Sequence, residues 1–130
     1  MTGSGFGRVL VLVYAVLAIA ATARSVVQVA RDFAAAPLAY SLSVLAALVY
    51  LVAAVALARG HRRLAWAAVG LEMAGVLVVG ALSLARPELF PDATVWSGFG
   101  SGYGWVPLVL PAVGLWWLGR TAAPRAGAGR

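Results

Sequence analysis

The chain contains no cysteine, no lysine, a single histidine and four acidic residues. Without cysteine there are no disulfides, no thiol redox chemistry and no thiolate metal sites. One histidine cannot supply a bis-histidine haem site. That residue, His61, falls in a short charged turn, so it cannot join a serine in an intramembrane protease site. Only one acid, Glu72, lies inside an apolar stretch, so the paired carboxylates that metal-dependent phosphotransfer needs are missing. We therefore expect no catalytic residue, no cofactor and no bound metal, and read the chain as not an enzyme.

Charge of either sign is scarce: 11% of residues are charged and 63% are hydrophobic, with a mean hydropathy of +0.94. Soluble domains run at about 25% charged and 45–50% apolar. The chain belongs in a bilayer, and its 130 residues allow about four spans of roughly 20 residues, with nothing left for a soluble domain. Four apolar segments are visible, at 9–30, 38–58, 64–85 and 103–119. Pro37 opens the second, where proline suits a first helical turn. The fourth is short and carries Pro107 and Pro111, which remove backbone donors and should bend it. The expectation is an all-α membrane protein, a single transmembrane domain over residues 1–130 folded as a four-helix bundle. Residues 120–130, rich in alanine, glycine and arginine, read as a disordered tail.

All ten basic residues are arginine, and the formal charge is +6. On a soluble face this would suggest nucleic acid; here the arginines sit at the ends of apolar segments, so no nucleic-acid partner is expected. Arg8, Arg59, Arg62, Arg63, Arg120, Arg125 and Arg130 fall on one side, Arg31 and Arg86 on the other. By the positive-inside rule both termini face the cytoplasm, in the cytoplasmic (inner) membrane of a cell. Arg8, the apolar run after it and Ala21-Thr22-Ala23 also fit a cleaved signal peptide. A retained first helix is the expectation.

Ionisable residues at membrane depth are costly and invite a functional reading. Glu72 lies roughly 12 Å from the nearer end of the third span and Arg24 roughly 10 Å from the far end of the first, by helical rise. They are too far apart along the normal for easy contact. Glu72 matches Tyr50 in depth, whereas Arg24 matches Ser43 and Tyr40. These five residues, Arg24, Tyr40, Ser43, Tyr50 and Glu72, form a candidate polar pocket. Arg24, Gln28, Arg31 and Asp32 recur at helical spacing toward the outer end of the first helix. With Asp92, Trp96 and Tyr103 they make a candidate outer recognition surface.

The long connection before the fourth span holds Trp96-Ser-Gly-Phe-Gly-Ser-Gly-Tyr-Gly-Trp105. A potassium filter needs a contiguous Thr-Val-Gly-Tyr-Gly run; here Thr94-Val95 and Gly102-Tyr103-Gly104 are six residues apart. A phosphate loop would lead from glycines into a helix start with lysine or serine, and this one leads into Trp105-Val106-Pro107. The segment reads as a glycine-rich outer turn whose aromatics settle at the headgroups. Gly70, Gly75 and Gly80 in the third span read as close-packing positions, between helices or in a homodimer.

The segments Ala23-Arg24-Ser25, Ala36-Pro37-Leu38-Ala39-Tyr40-Ser41, Phe90 to Ser97, Gly102-Tyr103 and Val106-Pro107-Leu108 resemble those of small four-helix integral membrane proteins of actinobacteria. The all-arginine, alanine-rich composition fits a GC-rich genome of that kind. That group brings no assigned activity with it, and DoxX-like proteins are similar only in layout. The functional expectation is a non-enzymatic accessory or assembly component of a membrane complex, acting through its outer loops. Its surroundings are the lipid bilayer and other membrane-protein subunits or a second copy of itself. The alternative is a small transporter or ligand-binding membrane protein using the polar pocket.

Overall fold

The computed structural model describes the backbone of residues 5–32, 34, 37–91, 94 and 96–128, and the side chains of all of these but Asp32 and residues 121–128. Four helices account for most of it: α1 (Gly5–Asp32), α2 (Pro37–Arg59), α3 (Arg62–Ala85) and α4 (Val106–Ala128). Among the described residues three helices, α1 to α3, are long and apolar enough to cross a membrane, and the apolar part of α4, Val106–Arg120, is shorter. No strand occurs among the described residues. The expected helical bundle is what these elements form.

Each helix turns a narrow stripe inward and leaves large apolar side chains on the outside, as a bundle solvated by lipid requires. In α1 the stripe is Leu10, Tyr14, Leu17, Ala18, Ala21, Ser25 and Gln28, while Val9, Leu12, Val16 and Ile19 face out. Apart from Tyr50, the buried stripe of α2 is mostly small: Ala39, Ser43, Ala46, Ala47, Ala53 and Ala54. Small residues let backbones approach where no hydrophobic drive separates protein from solvent. This explains the close α1–α2 pairing.

The α2–α3 turn ends in a Schellman motif: Gly60 takes φ 74°, its N–H donates to the Leu57 carbonyl (3.3 Å), and the His61 N–H donates to that of Ala56 (2.9 Å). Gly60 supplies the left-handed residue such a cap needs. This end of the bundle, called the basic end below, is tied across by the Arg62 guanidinium, which donates to the Leu118 carbonyl of α4 (2.5 Å). Phe6 of α1 meets Trp116 of α4 edge-on at 6.1 Å, closing α4 against α1.

Two boundaries differ from the sequence expectation. Helix α4 starts at Val106 rather than Tyr103, because Gly104 and Trp105 both take left-handed backbone (φ 65° and 66°) and stop a helix from extending backward. It then continues to Ala128, through the stretch expected to be a disordered tail. Alanine, the best helix former, supplies half of residues 121–128 and offsets Gly127 and Pro124. The helix runs through Pro111 without interruption, and Pro107 and Pro111 are both fully buried, so neighbouring helices cover the face that lacks donors.

Candidate functional site

At the loop end of the bundle, opposite the basic end, the chain leaves α3 through a short 3-10 turn, Pro87–Leu89. It re-enters as Ser97–Tyr103, two tight turns joined by three successive left-handed residues: Gly98, Phe99 and Gly100, with φ between 59° and 84°. The segment does not rest on the surface. Trp96 is 1% exposed and its ring lies on Gly75, where a Cβ would come within 2.7 Å of the indole. Phe99 sits against Gly80, five residues along α3, where a Cβ would lie 2.6 Å from the ring's Cε1. Of the three α3 glycines expected as close-packing positions, Gly75 and Gly80 are notches that receive two rings of the loop, and Gly70 faces open space. By helical rise Gly75 is roughly 15 Å below the end of α3.

Backbone buried at that depth must be hydrogen-bonded internally. Thr94 Oγ1 accepts from the N–H groups of Trp96 (3.0 Å) and Ser97 (3.1 Å), and Ser97 Oγ accepts from the Thr94 N–H (2.9 Å). Ser83 of α3 accepts from the Gly98 N–H (2.8 Å) while its own hydroxyl donates to the Gly80 carbonyl (2.8 Å). This corrects the expectation of a headgroup-level turn: Trp96 and Phe99 point inward, Tyr103 is half-buried, and of the four aromatics only Trp105 is exposed. Trp96 consequently drops out of the outer recognition surface. The glycines read as those of an outer turn are what permit the tight inward path.

The tip of Trp96 enters a polar layer at mid-bundle. Its Nε1 donates to the Tyr50 hydroxyl (2.8 Å), with the rings nearly perpendicular at 6.4 Å. Tyr50 lies 6.3 Å from Tyr14 ring to ring, and the Tyr14 hydroxyl donates to Glu72 Oε1 (2.6 Å). Glu72 is fully buried, and its Oε2 has no hydrogen-bond partner among the described residues. Helical rise places Tyr14, Tyr50 and Glu72 all roughly 14–15 Å from the basic end, which is why three helices can bring them together.

The candidate pocket is therefore split. Tyr50 and Glu72 share the mid-bundle layer, although it is Tyr14 that donates to Glu72, while the Tyr50 hydroxyl accepts from Trp96. Arg24 lies over the Tyr103 ring, 6.0 Å from its centre, and Tyr40 packs with Ala39 and Phe90 in a small separate cluster. Ser43 is buried, and its Oγ has no partner among the described residues. Of the outer-surface residues, Arg24, Gln28 and Arg31 do come together, bordering a recess of about 370 Å³ with Ala23 and Val27. Gln28 is buried, Arg24 half-buried and Arg31 exposed. The Asp32 side chain and all of Asp92 lie outside the described residues.

Sequence reasoning missed Tyr14, Ser83 and the Thr94–Ser97 capping pair. A signal for Tyr14 existed: it stands on the stripe that continues through Ala21 and Ser25 to Gln28, at the depth of Glu72. Ser83 and Thr94 carried none, since nothing local says that the loop returns to α3. Farther out, Arg86 pairs with Glu88 on the exposed surface, and this guanidinium, with a backbone N–H, holds the Glu88 carboxyl below its ordinary range. Among the described residues no three histidine or acidic side chains converge as a metal site would need. No protein-family model, no curated protein and no solved structure matches this chain.

Proposed function

We propose that the chain is a multi-pass protein of the cytoplasmic membrane whose four helices all cross, with both termini on the cytoplasmic side. In this reading it works without catalysis, as an accessory or assembly component of a membrane complex. It engages other subunits, or a second copy, at its outer end. The arginine asymmetry supports the orientation. The observation that carries the functional reading is the recess on α1, where Arg24, Gln28 and Arg31 stand on neighbouring turns beside Tyr103. Arginine with an aromatic neighbour is the composition that dominates interface energetics. The recognition surface is thus drawn on α1 and Tyr103 rather than on Trp96. The likeness to small actinobacterial membrane proteins belongs to this reading and rests on the segments that carry it.

The test is a pull-down of the tagged chain from native membranes in mild detergent, with mass spectrometry. A defined set of co-purifying membrane proteins, lost on Arg31→Ala, is expected. A monomer that brings down nothing above background, with the fold intact, would overturn the reading.

A second reading, a small transporter or ligand-binding protein, is favoured by one observation: Glu72 presents a fully buried carboxyl oxygen at mid-bundle that has no partner among the described residues. Intramembrane ionisable groups commonly mark transport paths. Proteoliposomes bearing the wild type or Glu72→Gln decide it: equal proton or solute flux in the two removes this reading.

A further inference from the structure

The recess on α1 has a makeup that points to a ligand as well as to a subunit. Its lining is two guanidiniums, the Gln28 amide, Ala23 and Val27, with no acid among them. At 3.6 residues per turn these five form a graded strip. Gln28 is on the buried side, Arg24 and Arg31 stand nearly in line two turns apart, and Ala23 and Val27, both exposed, make an apolar flank. Arg31 is exposed, whereas Arg24 is half-buried over the Tyr103 ring, 6.0 Å from its centre. Depth adds a constraint. Helix α1 has 28 residues, roughly 42 Å by helical rise, which is about 12 Å more than a hydrocarbon core. Centred in a bilayer, it places Arg31 among the headgroups. Arg24 stands roughly 10 Å lower, just inside the hydrocarbon, where arginine turns its charge outward. The two charges bracket the level of lipid phosphates.

We propose that the recess binds the headgroup phosphate of one anionic phospholipid, with Arg31 gripping the phosphate and Arg24 supplying a second positive charge from below. The proposal rests on the preceding reading only for an α1 that crosses the membrane with this end at its surface. Three features select the occupant. Two cations without an acid call for an anion, and a guanidinium fork matches phosphate oxygens. The volume of about 370 Å³ falls in the range of small-molecule sites, about 300–1,000 Å³, and suits a headgroup. The apolar flank favours an anion that carries hydrocarbon, since a free anion gains nothing from Ala23 and Val27.

The experiment uses the full chain purified in dodecyl maltoside, with bimane on Val27→Cys as the only thiol label, because the chain has no cysteine of its own. Phosphatidylglycerol and phosphatidylcholine, each with a brominated acyl chain, are titrated as quenchers. Phosphatidylglycerol should bind about thirtyfold tighter, as two arginines beside an anionic headgroup require, and Arg31→Gln should cut that ratio about fivefold. Arg63→Gln, at the basic end, should leave the ratio unchanged. Native mass spectrometry of the unlabelled chain makes the same comparison with no probe in the recess. Equal binding of the two lipids, or a preference that survives Arg31→Gln, would overturn the proposal. So would displacement by glycerol phosphate as effective as that by phosphatidylglycerol, which would mark a site for a soluble phosphate ester. A chain that shows no lipid preference yet still brings down subunits through Arg31 overturns the lipid site alone; one that holds phosphatidylglycerol and brings down nothing overturns the subunit reading alone.

Discussion

Replacing Gly80 by alanine and, separately, Gly70 by alanine makes the same chemical change twice on one helix and should give stability changes that differ by the steric cost alone. Glycine to alanine inside a helix gains about 1 kcal/mol, and that gain cancels between the two variants. At Gly70 a Cβ meets nothing within 4 Å. At Gly80 it would lie 2.6 Å from Cε1 and 2.7 Å from Cγ of Phe99, against the 3.5–4.0 Å at which carbons rest. The ring has to withdraw by about 1 Å. Cγ is the atom nearest the backbone, and that backbone is fixed by left-handed Gly98 and Gly100 and by the Gly98 bond to Ser83. The strain therefore passes into the loop. Overpacking of this kind costs about 1–3 kcal/mol, so Gly80→Ala should be less stable than Gly70→Ala by that amount. Reversible unfolding by sodium dodecyl sulfate in mixed micelles, followed by circular dichroism, measures the difference. If Gly80→Ala proves as stable as Gly70→Ala, Phe99 is not seated against α3 and the inward path of the loop is wrong.

Tyr14→Phe leaves the buried Glu72 Oε1 without its donor and should cost about 1–3 kcal/mol in the same assay. Glu72→Gln keeps an acceptor for Tyr14 and should cost less. Trp96→Phe removes the donor to Tyr50 and part of the ring from its notch on Gly75, and should destabilise by at least about 1 kcal/mol; a neutral result would mean that the indole is not anchored at Tyr50. The Glu88 carboxyl should titrate below the ordinary glutamate range by NMR and rise toward it in Arg86→Ala, since the guanidinium is the larger of the two groups that favour its charged form. A depressed folded value means any stabilisation is present at neutral pH and fades as pH falls through that value. Because Glu88 is fully exposed, the unfolding midpoint should be unmoved by Arg86→Ala.

The four helices were legible because apolar runs bounded by arginine and proline leave little choice in a chain of this composition. The register of the polar layer was half legible. Depth along the helix axis grouped Glu72 with Tyr50 correctly, but the azimuth of each helix decides which hydroxyl meets the carboxylate, and only the α1 stripe through Tyr14, Ser25 and Gln28 spoke to that. The direction of the glycine-aromatic segment was not legible. Glycines beside tryptophan and phenylalanine are compatible with a surface turn and with a tight inward one. The choice is made by Gly75, Gly80 and Ser83, thirteen or more residues earlier in the chain. Those glycines were read as a contact for a helix because nothing in sequence distinguishes a notch for a helix from a notch for a ring.

The inward loop also sets an order of events in biogenesis. Its seat is made of parts from two earlier helices, the Tyr50 hydroxyl on α2 and the Gly75, Gly80 and Ser83 surface of α3. It cannot close before α3 has entered the membrane. A nascent chain that has formed only its first three helices lacks the indole that covers Gly75 and donates to the Tyr50 hydroxyl. The segment after α3 brings both the loop and α4, which continues from it, so the Tyr50 and Gly75 surfaces stay uncovered until that segment has been made.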